Sequence, residues 1–178
     1  MLYTIICSLC CLFIDLSSVT PVPREHAWWA ERVQKIQQEV DKSTHKATIL
    51  FIGDSITQGW EGAGAAVWAK QFAPLNALNL GISGDRTEHV LWRLQNGHLH
   101  RLTPDIALVM IGTNNFGQKN SDSEVEVLEG VLAVVKELKD SLPMTHVILH
   151  DIFPRGSHFN AMRGSITQVN QALEAAFC

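Results

Sequence analysis

The chain has 178 residues, of which 46% are hydrophobic and 18% charged, with a formal net charge of −4 at pH 7. This length is sufficient for one domain with a substantial buried core. The mild acidic balance without Lys/Arg clusters argues against nucleic acid as a partner, because that binding depends on cations that neutralise phosphates.

The first twenty residues differ from the rest, because a largely apolar run over Met1–Val19, interrupted by Tyr, Thr, Ser and Asp15, ends before Pro21–Arg24. Such a run is typical of a secretory signal peptide, although it lacks a positively charged start and a small-x-small cleavage site. We therefore expect a signal peptide over 1–20, a domain over 21–178, and a secreted or extracytoplasmic protein. A short membrane anchor and a mispredicted start are the alternatives. Without a signal peptide, the cytoplasm is the expected location.

Apolar residues at helical spacing predict an amphipathic helix before the first strand, and Val/Ile/Leu-rich runs predict strands buried on both faces. The expected strands cover 47–53, 76–80, 105–111 and 145–152, and the expected helices cover 26–42, 62–72, 86–96, 122–141 and 159–176. Their alternation predicts a three-layer αβα, α/β fold with a flavodoxin-like parallel sheet of order 2-1-3-4. Arg86, Arg93 and Arg101 are expected on a solvated face, and His98 and His100 on a surface turn.

Polar loops follow the first three predicted strands and carry Ser55, Gly84 and Asn114. Because ligand chemistry gathers at the carboxyl ends of parallel strands, we expect these residues to converge. A serine nucleophile, a backbone N–H at Gly84 and the Asn114 amide are the parts needed for acyl transfer. Structural interpretations stay open: Ser55 and Asn114 as helix caps, Gly84 as a turn residue, and Asp54 as a brace for its own turn.

The motifs Gly53-Asp54-Ser55, Gly84 and Gly112-x-Asn114 resemble the first three sequence blocks of the SGNH (GDSL) hydrolases. The stretch 79–94 and Phe153-Pro154-Arg155-Gly156 are similar to a subgroup, the esterases that resemble platelet-activating-factor acetylhydrolase catalytic subunits.

The resemblance implies a serine esterase that removes short, acetyl-like acyl groups from a lipid or carbohydrate ester through an acyl-enzyme on Ser55. It also implies Gly84 and Asn114 as oxyanion donors, Asp54 as a supporting residue, no cofactor, and a homodimer. No metal-ligand spacing or nucleotide fingerprint points to zinc, NAD or ATP.

The family's Asp-x-x-His block, which supplies the base and acid of the triad, is absent, since no aspartate is followed three residues later by His. We therefore name no base and expect a C-terminally truncated domain that lacks the fifth edge strand, which leaves strand 145–152 uncovered. A base from His150 or His158 is disfavoured, because adjacent strand residues point to opposite faces. The alternative function is a non-catalytic binding protein on the same scaffold.

Overall fold

The computed structural model describes residues 16–43, 47–117 and 121–177, so most of the predicted signal peptide lies outside the described residues. Four parallel strands form the sheet: β1 Ile49–Gly53, β2 Ala77–Gly81, β3 Ile106–Met110 and β4 His146–Leu149. Their order is β2-β1-β3-β4, which confirms the predicted α/β fold and strand order.

The helices are α1 Ala27–Lys42, α2 Ser55–Gln58, α3 Ala65–Gln71, α4 Thr87–Arg93, α5 Thr113–Phe116, α6 Glu124–Ser141 and α7 Ala161–Phe177. Helix α6 begins with a capping box, in which Ser123 and Glu126 each bond the other's backbone N–H. The single-turn helices α2 and α5 are too short to produce a hydrophobic period, so they are not among the helices predicted from periodicity. Among the described residues, no helix is long and apolar enough to span a membrane.

One face of the sheet carries the main core. The strand register aligns Leu50 with Ala107, and Ile52 with Leu80 and Val109, so their side chains share a face. All five are buried and belong to the same cluster as the inward sides of α1, α4, α6 and α7. The alternation along β1 therefore fixes which helices lie over this face.

The other face is covered unevenly. Phe51 is buried in an aromatic cluster, with ring centroids 5.0 Å from Trp68 and 4.9 Å from Phe72. Leu108 and Ile148 share this face at the next strands, but Leu108 is only partly buried and Ile148 is 49% exposed. The exposed face of β4 thus carries Ile148 beside the polar His146.

Two expectations about charged residues are wrong. Arg93 was expected on a solvated face and His98 on a surface turn, yet both are fully buried. Arg86 is half-buried rather than solvated. The cause is a tertiary ion-pair network, described below, which compensates the cost of desolvating the arginine.

Candidate active site

The candidate nucleophile follows β1 on a tight strand-to-helix turn. Asp54 caps α2, because its Oδ1 accepts the Ile56 backbone N–H at 2.9 Å. Ser55 is the first residue of α2, and it is exposed. The turn thus places a serine hydroxyl at the surface, at the carboxyl end of a central strand.

The loop after β2 is tied to the helix that carries Ser55. The Ser83 N–H donates to Gln58 Oε1 at 2.7 Å, and Asn79 Nδ2 donates to the Thr57 carbonyl at 2.9 Å. Gly84 has a φ of +74°, a conformation that side chains rarely adopt. The nucleophile turn and the Gly84 loop are therefore held together by hydrogen bonds within one short region.

Asn114 connects all three loops. It lies in α5 after β3, and its Nδ2 donates to the Asp85 carbonyl at 2.9 Å and to Asp54 Oδ2 at 3.3 Å. It is buried and does not serve as the cap of its own helix, since Gly112 occupies that position. The structure thus brings the loops of Ser55, Gly84 and Asn114 to one edge of the sheet, with the Asn114 amide already engaged.

Asp54 is electrostatically unusual. Its pKa is raised to about 6, mainly by burial and also by the nearby Asp85, while the Ile56 N–H and Arg155 oppose the rise. Arg155 is held close by, because its Nη1 donates to the Thr113 carbonyl at 2.9 Å. Asp54 therefore changes charge within the range of pH at which many proteins are studied.

A buried ion pair stabilises the loops that follow β1 and β2. Asp85 Oδ2 accepts Arg93 Nε at 2.8 Å, and Asp85 Oδ1 accepts Trp29 Nε1 at 2.6 Å. Arg93 also donates to the Gly53 carbonyl at 3.3 Å, at the end of β1. Burial raises the pKa of Asp85 and lowers that of Arg93, while their mutual attraction opposes both shifts. This pair was not predicted from the sequence.

His98 completes the buried ion-pair network. Its Nδ1 lies 3.1 Å from Arg93 Nη1, and its Nε2 lies 3.2 Å from the Val33 carbonyl. Because a guanidinium only donates, Nδ1 accepts, so Nε2 carries the proton and donates to Val33. Burial, and then the charge of Arg93, lower the pKa of His98 to about 3, so this ring is neutral at pH 7.

A second polar network lies beneath α5. Asn115 Oδ1 accepts the Thr87 N–H at 3.1 Å, and its Nδ2 donates to Asp122 Oδ2 at 2.8 Å. Arg86 pairs with Asp122 at 2.5 Å and with Glu88 at 2.9 Å. Burial raises the pKa of Glu88. Asn115 therefore orients α4 and α5 relative to each other rather than facing the Ser55 pocket.

An open pocket of about 420 Å³ lies beside the nucleophile. It is lined by Ser55, Gln58, Gly59, Glu61, Gly62 and Ser83. Its opening to solvent gives a small ester access to the Ser55 hydroxyl. Within the three described ranges, no group of three or more His, Cys, Asp and Glu residues could hold a metal ion.

Residues 51–177 match the model of the GDSL-like lipase/acylhydrolase family. The chain belongs to this family. The resemblance to the SGNH (GDSL) hydrolases is thereby confirmed. Human platelet-activating factor acetylhydrolase IB subunit alpha1 is 39% identical over 136 residues, which cover 76% of this chain and 56% of that protein. The human alpha2 subunit is 36% identical over 137 residues, with coverage of 77% and 57%.

The chain thus spans little more than half the length of these two relatives. A GDSL-like lipase from Bacteroides thetaiotaomicron superposes with a TM-score of 0.62 at 21% identity, covering 84% of this chain and 71% of that one. At that identity the likeness shows the fold.

In this GDSL-family chain, His89, His150 and His158 are not placed as bases for Ser55. His89 Nδ1 accepts the Arg86 N–H at 3.0 Å, and burial, followed by nearby arginines, lowers its pKa to about 3. His150 is exposed, with its Nδ1 2.7 Å from the Asp151 carbonyl, and His158 is exposed too. Among the described residues, no histidine makes a hydrogen bond to Ser55.

Proposed function

We propose that the protein is a carboxylic ester hydrolase that transfers a short acyl group first to Ser55 and then to water. The observation that carries this proposal is the exposed Ser55 at the start of α2, tied by hydrogen bonds to the loops of Gly84 and Asn114. Family membership supports the same chemistry.

In the proposed cycle, Ser55 Oγ attacks the ester carbonyl carbon while its proton passes to a general base. The carbonyl oxygen becomes an oxyanion, stabilised by the N–H groups of Ser55 and Gly84 and by Asn114 Nδ2. Collapse of the tetrahedral intermediate expels the alcohol, which takes up the proton, and leaves an acyl-enzyme. Water then attacks the acyl-enzyme, which releases the carboxylic acid and restores Ser55.

To donate to the oxyanion, the Asn114 amide must give up one of its two hydrogen bonds. Its bond to Asp85 is short at 2.9 Å, whereas its bond to Asp54 is long at 3.3 Å. The longer and therefore weaker bond is the one that the oxyanion would replace. Protonation of Asp54 would weaken that bond further by removing its negative charge.

The proposed substrate is a small acyl ester on a lipid or a carbohydrate. The human relatives are named as acetylhydrolases of platelet-activating factor, which supports an acetyl group on a lipid. The open pocket beside Ser55 is consistent with a short acyl chain. Rates on p-nitrophenyl acetate, butyrate and octanoate would test the preference, and a maximum at octanoate would contradict it.

A second candidate is a non-catalytic binding protein on the same scaffold. The observation that favours it is that none of the described histidines bonds to the Ser55 hydroxyl, so these residues leave the serine without a base. A serine without a base is a weak nucleophile at neutral pH.

A fluorophosphonate probe distinguishes the two candidates, because it reacts only with an activated serine. Ester hydrolysis predicts one phosphonyl adduct, mapped to Ser55 by peptide mass spectrometry and absent in Ser55→Ala. Ser157→Ala, which removes an exposed hydroxyl from the loop after β4, is the matched control and should label fully. A folded wild-type protein that remains unlabelled would favour the binding role.

We also propose that the leader over 1–20 directs export and that the protein forms a homodimer. N-terminal sequencing of the exported protein tests the first proposal, and an intact Met1 would contradict it. Sedimentation analysis tests the second, since a single species at 19.8 kDa for the full chain would exclude a dimer.

A further inference from the structure

We propose that Arg24 is a positioning residue that orients and polarises the Ser83–Gly84 peptide, whose N–H serves the oxyanion. This inference rests on the proposed function and deepens it. In the sequence, Arg24 ends the Pro21–Arg24 segment that follows the predicted signal peptide. The structure instead places its guanidinium against the Gly84 loop.

The decisive contact is a hydrogen bond from Arg24 Nη1 to the Ser83 carbonyl oxygen at 2.9 Å. The Ser83 carbonyl and the Gly84 N–H belong to one peptide group. Because the described residues contain no cis peptide bond, these two groups point in opposite directions across the peptide plane. Holding the carbonyl on the Arg24 side therefore directs the Gly84 N–H away from Arg24.

The fit around Gly84 is close. A Cβ atom added at Gly84 would lie 2.8 Å from Arg24 Nη1, which is too short for a non-bonded contact. The guanidinium therefore occupies the space that any side chain at this position would need. Gly84 serves both the loop's positive φ and the approach of Arg24.

Arg24 is itself held from two sides. Its guanidinium carbon lies 4.9 Å from the Trp28 ring centroid, and its Nη1 lies 4.0 Å from Asp85 Oδ1. The side chain is 18% exposed. Asp85 is already paired with the buried Arg93, so its single negative charge is shared between two arginines.

Arg24 acts on the Gly84 N–H through the peptide group that joins Ser83 and Gly84. A cation that donates to an amide oxygen polarises the amide and makes its N–H a stronger donor. The preceding peptide is fixed as well, because the Ser83 N–H donates to Gln58 Oε1. Arg24 thus strengthens a donor at the site where negative charge develops, and it does so before the substrate arrives.

The test compares Arg24→Ala and Arg24→Lys with the control Arg101→Ala. Arg101 is exposed and distant from Arg24 in the sequence. Removing an oxyanion donor outright lowers kcat by about 100-fold or more, so a residue that tunes the donor should lower it by about tenfold. We expect that fall in Arg24→Ala, with KM changed by less than about twofold. Arg24→Lys should keep most of kcat, and Arg101→Ala should match the wild type.

Chemical rescue distinguishes a positioning role of Arg24 from a merely structural one. A few millimolar guanidinium should restore part of kcat in Arg24→Ala and leave the wild type unchanged. An unchanged kcat in Arg24→Ala would overturn the proposal. So would a loss fully explained by the unfolded fraction measured in a thermal melt.

The NMR signal of the Gly84 amide, in protein labelled at glycine, reports the orientation of the Ser83–Gly84 peptide. This measurement does not require turnover. The signal should shift in Arg24→Ala and remain close to the wild-type position in Arg24→Lys and Arg101→Ala. If the wild type neither turns over nor labels with the fluorophosphonate, the proposed function fails. The Gly84 signal then decides separately whether Arg24 orients the loop, and an unmoved signal would refute that.

Discussion

The two halves of the sheet differ in how fully they are packed. At β1, the described chain covers both faces, with the main core on one side and the aromatic cluster around Phe51 on the other. At β4, Ile148 is exposed, and a cleft of about 550 Å³ opens between β4, α6 and α7. Val147, Leu149 and Leu173 are among the residues that line this cleft.

The candidate site is built mainly on the packed half. Ser55 and the Gly84 loop follow β1 and β2, and the buried Asp85–Arg93 pair braces them from beneath. A hydrogen-bond donor that is fixed before reaction needs no reorganisation when charge develops. The more fully packed half of the sheet is therefore the half that holds most of the candidate site.

The largest effect should come from breaking the buried pair. Arg93→Met leaves the buried Asp85 with one hydrogen bond from Trp29 and with Arg24 at 4.0 Å, so we expect a loss of about 3–5 kcal/mol in the free energy of unfolding. Urea denaturation measures this. Arg101→Met, at an exposed arginine, should change stability by less than about 0.5 kcal/mol. Equal effects of the two substitutions would refute the bracing role.

Truncating one apolar side chain in each half tests the packing contrast directly. Phe51→Ala removes a buried ring from the aromatic cluster and should cost about 3–5 kcal/mol. Ile148→Ala removes a half-exposed side chain and should cost less than about 1 kcal/mol. Denaturant midpoints for the two variants give the comparison, and a larger cost at Ile148 would reverse it.

The charge of Asp54 should make stability depend on pH. Its pKa rises from 3.8 to about 6 on folding, so its contribution is fully present below pH 3.8 and is lost as the pH rises through 6. The difference corresponds to about 3 kcal/mol. Asp54→Asn should therefore gain up to that amount, relative to the wild type, between pH 4 and pH 7.5.

Unfolding curves for both proteins across this range measure the relative change. The wild type serves as the control for other titrating groups, because they are common to both chains. Stability curves that remain parallel from pH 4 to pH 7.5 would show that Asp54 does not titrate in this interval.

The smallest expected effect on stability concerns the open half. Ile148→Lys places a charge on an exposed strand face, so the free energy of unfolding should change by less than about 0.5 kcal/mol. Self-association should nevertheless fall, because a charge on an apolar edge strand opposes edge-to-edge pairing. Light scattering at increasing concentration measures this. Equal scattering by both proteins would show that β4 does not drive association.

Most of the fold was predictable, because the strands are rich in apolar residues and the longer crossover helices have a helical period. The strand order was predicted as the flavodoxin-like one, which is compatible with right-handed crossovers. The convergence of the loops that carry Ser55, Gly84 and Asn114 followed from the position of strand ends in a parallel sheet.

The buried charges were harder to predict, because their partners come from other elements. Arg93 pairs with Asp85 from the preceding loop, and Trp29 reaches the same carboxylate from α1. One signal was available, since Arg93 lies three residues after the buried Val90 and so on a nearby part of the helix surface. Arg24 carried no periodic signal, because it precedes the first helix and acts through a backbone carbonyl.

The segment before α1 also has a consequence for maturation. Ser18 is fully buried, and its carbonyl accepts the Thr87 hydroxyl at 2.8 Å. A peptidase that cut after Thr20 would remove that acceptor, and one that cut four residues later would also remove Arg24 from the Gly84 loop. Proteolytic trimming at these two positions would therefore affect different parts of the protein: the first cut removes a contact with α4, and the second also removes the contact with the Gly84 loop.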